Sequence, residues 1–288
     1  MIRKAGGAWG DTLADIDLRA AINAVSDVVQ NRPRPIRIFD QIYMKSGDMV
    51  MQSELVASWA RDKHLAFIGD GDAISVCVAY LQKRGILEYG PSKIVVYDFD
   101  ERICSAVRRF ADRERIGNLE ARLYNCVDKF PDEGKFDCYY TNPPWGQYNN
   151  GESVCVFAQR GMEAIGNSGD GMVVIADDDD LPWPRAVLAR IQKFAVDRGF
   201  YVQRMMTKVH EYHLDDAPGL RSCNLMFRSV TGNAPPTVSE PLDAVRMQNF
   251  YGRENNLRVK YVRERKTLEY GIAHDDEYEL VLIEEDPA

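Results

Sequence analysis

Short apolar runs, each closed by glycine, aspartate or asparagine, alternate along this chain with stretches whose apolar positions recur at helical spacing. The runs HLAFIG (64–69), KIVVYDFD (93–100), ARLYN (121–125), FDCYYTN (136–142) and GMVVIAD (171–177) have the length and flanks of buried strands. Helices are predicted between them, over 73–85, 101–113, 152–166 and 184–198. Upstream, residues 11–31 read as an amphipathic helix stopped by Pro33 and Pro35, and a turn with a second helix fills 36–60. Downstream, 201–213 and 222–230 read as an antiparallel pair. Strands alternating with helices predict an α/β fold with a doubly wound, mostly parallel seven-stranded sheet. The segment TGNAPPTVSEP (231–241) is a linker by composition. Three regions follow: an N-terminal helical extension over 1–60, a catalytic domain over 61–230, and a linker with a C-terminal appendage over 231–288.

Composition narrows the class. Hydrophobic residues make up 45% of the 288, enough for a real core. No run approaches the roughly 18 apolar residues of a membrane helix, and the first residues lack the apolar centre of a secretory signal. A cytoplasmic protein with no membrane partner is expected. The six cysteines form no C-x-x-C pair and read as reduced, buried thiols. The net charge of −8 argues against unaided binding of long DNA. It leaves room for a local basic face or a basic partner subunit.

Ligands of such sheets bind at the carboxyl ends of the strands. There the chain places Asp70, Asp98, Asn125, Asn142 and Asp177. In the turn Gly69-Asp70-Gly71-Asp72 the glycines allow a close backbone approach to a ligand. Its two carboxylates oppose a pyrophosphate and suit a cofactor with a cationic end, such as the amine or sulfonium of S-adenosylmethionine. Asp98, closing the second strand, can accept both hydroxyls of a ribose, or it can cap the helix that follows. In Thr141-Asn142-Pro143-Pro144-Trp145 the prolines stiffen the loop. The Asn142 side-chain oxygen and the Pro143 carbonyl can then accept the two hydrogens of a substrate amine, and Trp145 offers a flat apolar face.

The order GDGD, YDFD, TNPPW resembles the class I S-adenosylmethionine-dependent methyltransferases. That implies a Rossmann-like fold with small N- and C-terminal extensions. Asn-Pro-Pro-aromatic at the fourth strand resembles the amino-methyltransferases of adenine and cytosine. NPPWGQYNNGES is similar to the loop of small rRNA adenine N6-methyltransferases. The resemblance implies that Asn142, Pro143, Pro144 and Trp145 clamp the amine. It implies that Asp98 holds the cofactor ribose, and that Asn125 or Asp128 lies beside the adenine.

A second resemblance spans roughly 38–228. The stretches FDQIYMKSGDMV, FIGDGDAISV, YDFDERI, FAQRGMEAI and VHEYHL resemble the catalytic domain of branched-chain polyamine synthases, aminopropyltransferases that use decarboxylated S-adenosylmethionine. The chain departs from that family in three respects: Gly71 where its loop is richer in Asp, Asn142 and Trp145 where acidic residues flank its Pro-Pro, and no counterpart of its N-terminal winged helix. An amide and an aromatic face suit a neutral nucleobase amine, and carboxylates suit a cationic polyamine. The sequence thus points first to N-methylation of an exocyclic amine, adenine N6 in nucleic acid. Aminopropyl transfer to a polyamine comes second, and a non-catalytic cofactor-binding subunit third.

Further candidates for substrate contact are Tyr148, Asp177 and His210. The cluster His210, Glu211, His213, Asp215 and Asp216 has metal-binding residue types, but on a strand its two histidines face opposite ways, so no metal is expected. The acidic run Asp177–Asp180 reads as a solvated loop that can also attract a cation. Arg221 and the basic run Arg258–Lys266 read as a solvated strand face, with contact to a phosphate backbone as the alternative.

Overall fold

The apolar runs are buried almost from end to end, and that burial orders the fold. A computed structural model describes residues 16–132, 135–214, 217–230, 238–266 and 275–283. Along the chain these form α1 (Leu18–Val29), a 3-10 turn (Arg37–Phe39), α2 (Ser46–Trp59), β1 (His64–Ile68), α3 (Ile74–Lys83), β2 (Lys93–Asp98), α4 (Glu101–Glu114), β3 (Leu119–Leu123), β4 (Cys138–Thr141) and α5 (Glu152–Ala164). They continue as β5 (Asp170–Ala176), α6 (Pro182–Asp197), β6 (Phe200–Glu211), β7 (Arg221–Ser229), β8 (Val259–Glu264) and β9 (Tyr278–Leu282). The first seven strands make one sheet in the order β3-β2-β1-β4-β5-β7-β6. The pairs β1–β2, β1–β4, β2–β3 and β4–β5 are parallel. β7 runs antiparallel to both of its neighbours, β5 and β6. This is the Rossmann-like, seven-stranded, mostly parallel sheet that the alternation predicts.

The helices owe their faces to the same patterning. In α4, Ile103, Val107 and Phe110 turn inward while Arg109 and Arg113 stay in solvent. Each such apolar side chain contributes about 1.5–3 kcal/mol on burial. Helix α1 starts at Leu18, where the Asp17 carboxylate accepts the amides of Arg19 and Ala20, both at 3.0 Å. The predicted first turn at 11–15 lies outside the described residues.

Residues 238–266 do not stand apart from the sheet. The Val262 amide donates to the Phe99 carbonyl at 3.1 Å, and Ser153 Oγ donates to the Phe250 carbonyl at 2.6 Å. Within the basic run, Lys260 pairs with Asp128, Arg263 with Glu101 and Arg265 with Glu279. All six cysteines are buried and free. Among the described residues no helix is long and apolar enough to cross a membrane, and no three metal-ligating side chains gather at one point. Asp215 and Asp216 lie outside the described residues.

Candidate active site

The carboxyl ends of β1, β2 and β4 open onto one cavity, as parallel strand order dictates. It holds about 830 Å³ of space, mouth included, within the range of small-molecule sites. Its wall gathers Gly69, Asp70, Gly71 and Asp72 after β1, Asp98 at the end of β2, Asn125 after β3, and Asn142, Pro143, Pro144 and Trp145 after β4. Gly69 takes φ +75°, and a Cβ there would stand 3.3 Å from the Phe157 ring. The turn out of β1 therefore requires glycine.

Hydrogen bonds knit these loops together. Asp98 accepts the Asp70 amide on one oxygen at 3.0 Å and the Asp100 amide on the other at 2.9 Å. The cap of α4 is Asp100, whose carboxylate accepts the Arg102 amide at 3.0 Å and pairs with the Arg102 guanidinium. Asp98 is thereby left facing the cavity. Asp72 joins three segments: its carboxylate accepts the Met44 amide at 2.7 Å and the Asn142 side-chain amide at 2.6 Å. The Asn142 Nδ2 is thus committed, with its oxygen oriented by that bond. Asp70 accepts from the Ser75 hydroxyl and amide.

Four aspartates line the cavity, and no Lys, Arg or His does so among its described lining residues. Burial disfavours their charged forms. It lifts Asp98 to about 7, with the Asp100 charge adding to the rise. Burial raises Asp70 well above the usual carboxylate range and raises Asp72 against the pull of Arg32. Asp40 rises to about 6 by burial, against the pull of Arg37 and the Trp145 amide.

Asp40 is a lining residue that strand-end reasoning misses. It sits at φ 57° just past the 3-10 turn, and with Gln41 and Tyr43 it builds the wall before α2. The available signal was the polar pair Asp40-Gln41 interrupting an apolar run. Tyr212 and Tyr251 also line the cavity. Both come from segments whose approach to the strand ends depends on tertiary docking.

Four sequence candidates lie outside the lining. Asp128 is held by Lys260 at 3.3 Å. Tyr148 is exposed, with the Arg253 guanidinium over its ring. Asp177 turns its carboxylate to the Lys208 amide at 2.9 Å. His210 is fully buried between Ser222 Oγ and Gln52 Oε1, each at 2.8 Å, and burial drops it to about 3. It is neutral, and its partner Ser222 bonds the hydroxyl of the lining residue Tyr212 at 2.7 Å. Asn125 lines the cavity, but its amide nitrogen donates to the Val259 and Lys260 carbonyls and its oxygen accepts the Val127 amide. Its polar atoms therefore anchor β8.

Residues 20–282 match the family described as the branched-chain polyamine synthase A C-terminal domain. Over 147 residues the chain is 29% identical to an N(4)-bis(aminopropyl)spermidine synthase from Thermococcus kodakarensis, covering 50% of this chain. The chain spans only 39% of that relative's length. The branched-chain polyamine synthase from Thermus thermophilus, solved with N4-aminopropylspermidine and 5′-methylthioadenosine, shares the fold with a TM-score of 0.68 at 20% identity, over 85% of this chain and 74% of that one. A candidate RNA methyltransferase from Pyrococcus horikoshii shares it with a TM-score of 0.56 at 17% identity, over 74% of this chain and 98% of that one.

Proposed function

The chain belongs to the branched-chain polyamine synthase A C-terminal domain family, and from that premise we propose that it transfers an aminopropyl group to an amine of a polyamine. The observation that carries this reading is the cavity wall itself: Asp40, Asp70, Asp72 and Asp98, with no cationic side chain among the described lining residues. Burial disfavours the ionised forms of these carboxylates, and the ammonium groups of a polyamine would favour them. A neutral nucleobase would not. The family match and the relative from Thermococcus kodakarensis support the same order, which puts the polyamine reading ahead of nucleobase methylation.

The residues present fit a nucleoside sulfonium cofactor. Asp98 faces the cavity with two amides holding it, among the rings of Tyr97, Phe99 and Tyr251. In their ionised forms Asp70 and Asp72 would repel the carboxylate of intact S-adenosylmethionine, so the decarboxylated form suits the wall better. When bound, the cofactor supplies a propyl carbon made electrophilic by its sulfonium, and transfer forms a C–N bond as the C–S bond breaks, leaving 5′-methylthioadenosine and one proton. That proton is assigned to Asp72. Its raised proton affinity and its bond to Asn142 suit a group that holds the acceptor amine and then receives its hydrogen. Asp40 is assigned a second ammonium of the acceptor.

Asn142 followed by Pro143, Pro144 and Trp145 sustains amine methylation as a second reading. Two variants separate the roles. Asp72→Asn is expected to lower turnover by at least about 100-fold, the usual contribution of a positioned base. Binding of 5′-methylthioadenosine should stay within about threefold in that variant, because Asp98 holds the nucleoside. Asn142→Ala should behave alike. Calorimetry beside a turnover assay checks both, and nucleoside affinity falling in step with turnover would refute the assignment.

A further inference from the structure

The hydroxyl of Tyr251 has no hydrogen-bond partner among the described residues, although the residue is only 7% exposed. Its ring lines the cavity. Phe99 stacks on it at 5.9 Å, and Phe39 and Phe250 meet it edge-on at 5.2 and 5.1 Å. Three rings thus fix the direction of the phenol. Asp98 and Cys126, both in the cavity wall, are the charged or ionisable groups that act on it. A buried hydroxyl left unpaired is unfavourable in the free protein. A molecule bound in the cavity that the ring lines can supply that partner.

The segment that carries Tyr251 is latched to this end of the sheet. Asn125 Nδ2 donates to the Val259 and Lys260 carbonyls at 3.0 and 2.6 Å. Val262 donates to Phe99, and the Asn255 side chain donates to the Ile38 carbonyl. The phenol is therefore brought to Asp98 by fixed contacts.

We propose that Tyr251 is a cofactor-binding residue whose hydroxyl bonds the nucleoside half of the cofactor beside Asp98. The inference rests on the aminopropyltransferase reading and deepens it. A nucleoside offers ribose oxygens and purine ring nitrogens, which accept from a phenol. Polyamine ammonium groups only donate, and the four carboxylates serve them better. Asp98 accepts and Tyr251 donates, so together they read both kinds of polar atom on a nucleoside.

The test compares the full chain with its Tyr251→Phe variant. Calorimetry measures 5′-methylthioadenosine and, separately, spermidine; thermal unfolding measures the free proteins. One lost hydrogen bond predicts about tenfold weaker 5′-methylthioadenosine binding. Spermidine affinity should hold within about twofold, since no carboxylate is touched. The free variant should melt no lower than the parent, because it loses an unpaired hydroxyl and keeps its rings. Unchanged nucleoside affinity overturns the proposal. A lower melting point with equal losses for both ligands also overturns it, since that pattern marks a packing role. If the parent chain itself binds no 5′-methylthioadenosine, the functional reading falls with it.

Discussion

At Asp40 a carboxylate in the left-handed region, partly open to solvent, holds the Trp145 amide and keeps its proton up to about pH 6. Burial causes the rise, so a cation placed beside the group should reverse it. The sign follows from linkage. Binding a polyamine favours the ionised form, and the amines stay protonated across the neutral range. Acceptor affinity is then expected to increase as pH climbs through about 6 and to level off above it. In Asp40→Asn the step near pH 6 should vanish and affinity above it should drop about five- to tenfold, the value of one partly buried ion pair. Titration calorimetry between pH 5 and about 8 reads both. A pH profile that survives the substitution would remove Asp40 from the acceptor site.

Asp70, Asp72 and Asn142 were legible in the sequence because glycine or proline at a strand end announces a turn, Asp98 because a carboxylate closes the apolar run of β2, and parallel order sends all these strand ends to one side. Asp40, Tyr212 and Tyr251 carry no such local mark. The segment of His210 does return to the strand ends, where Tyr212 lines the cavity, but the His210 ring is buried between Ser222 and Gln52.

The C-terminal segment is the element whose role the sequence understated. Read from composition, 231–288 is a linker and appendage. In the structure β8 lies along the exit of β2, bridged at Asp100 and Val262, and the same segment contributes Tyr251 to the cavity. Linker composition reports local flexibility. It carries no information about docking that rests on a distant amide such as Asn125. Replacing Asn125 by Leu leaves two β8 carbonyls and the Val127 amide without that partner. It is expected to cost about 2–4 kcal/mol at roughly 1–3 per unsatisfied group, with partial rewetting. The loss should appear as a lower melting temperature together with weaker nucleoside binding. A variant that loses stability while binding the nucleoside normally would show that the latch and the site are independent.

Across the whole molecule, the fold is shared with both the branched-chain polyamine synthase from Thermus thermophilus and the candidate RNA methyltransferase from Pyrococcus horikoshii, so the fold leaves the choice to the wall. The alternation of strands and helices made the sheet, and the edge at which the cavity opens, readable from sequence. The convergence of four aspartates was not readable there, because they come from separate segments of the chain. Asn142 and Trp145, taken as a pair, favoured a nucleobase. Placed in the cavity, they stand among four aspartates, and Asn142 is bonded to one of them.

The most direct measurement incubates the protein with decarboxylated S-adenosylmethionine and spermidine, and in parallel with intact S-adenosylmethionine and adenine-containing RNA or DNA. Mass spectrometry then follows both nucleoside products. Release of 5′-methylthioadenosine with an aminopropyl-extended polyamine in the first reaction, and no methylated nucleic acid in the second, is the predicted result. S-adenosylhomocysteine with methylated adenine, and an unmodified polyamine, would contradict it.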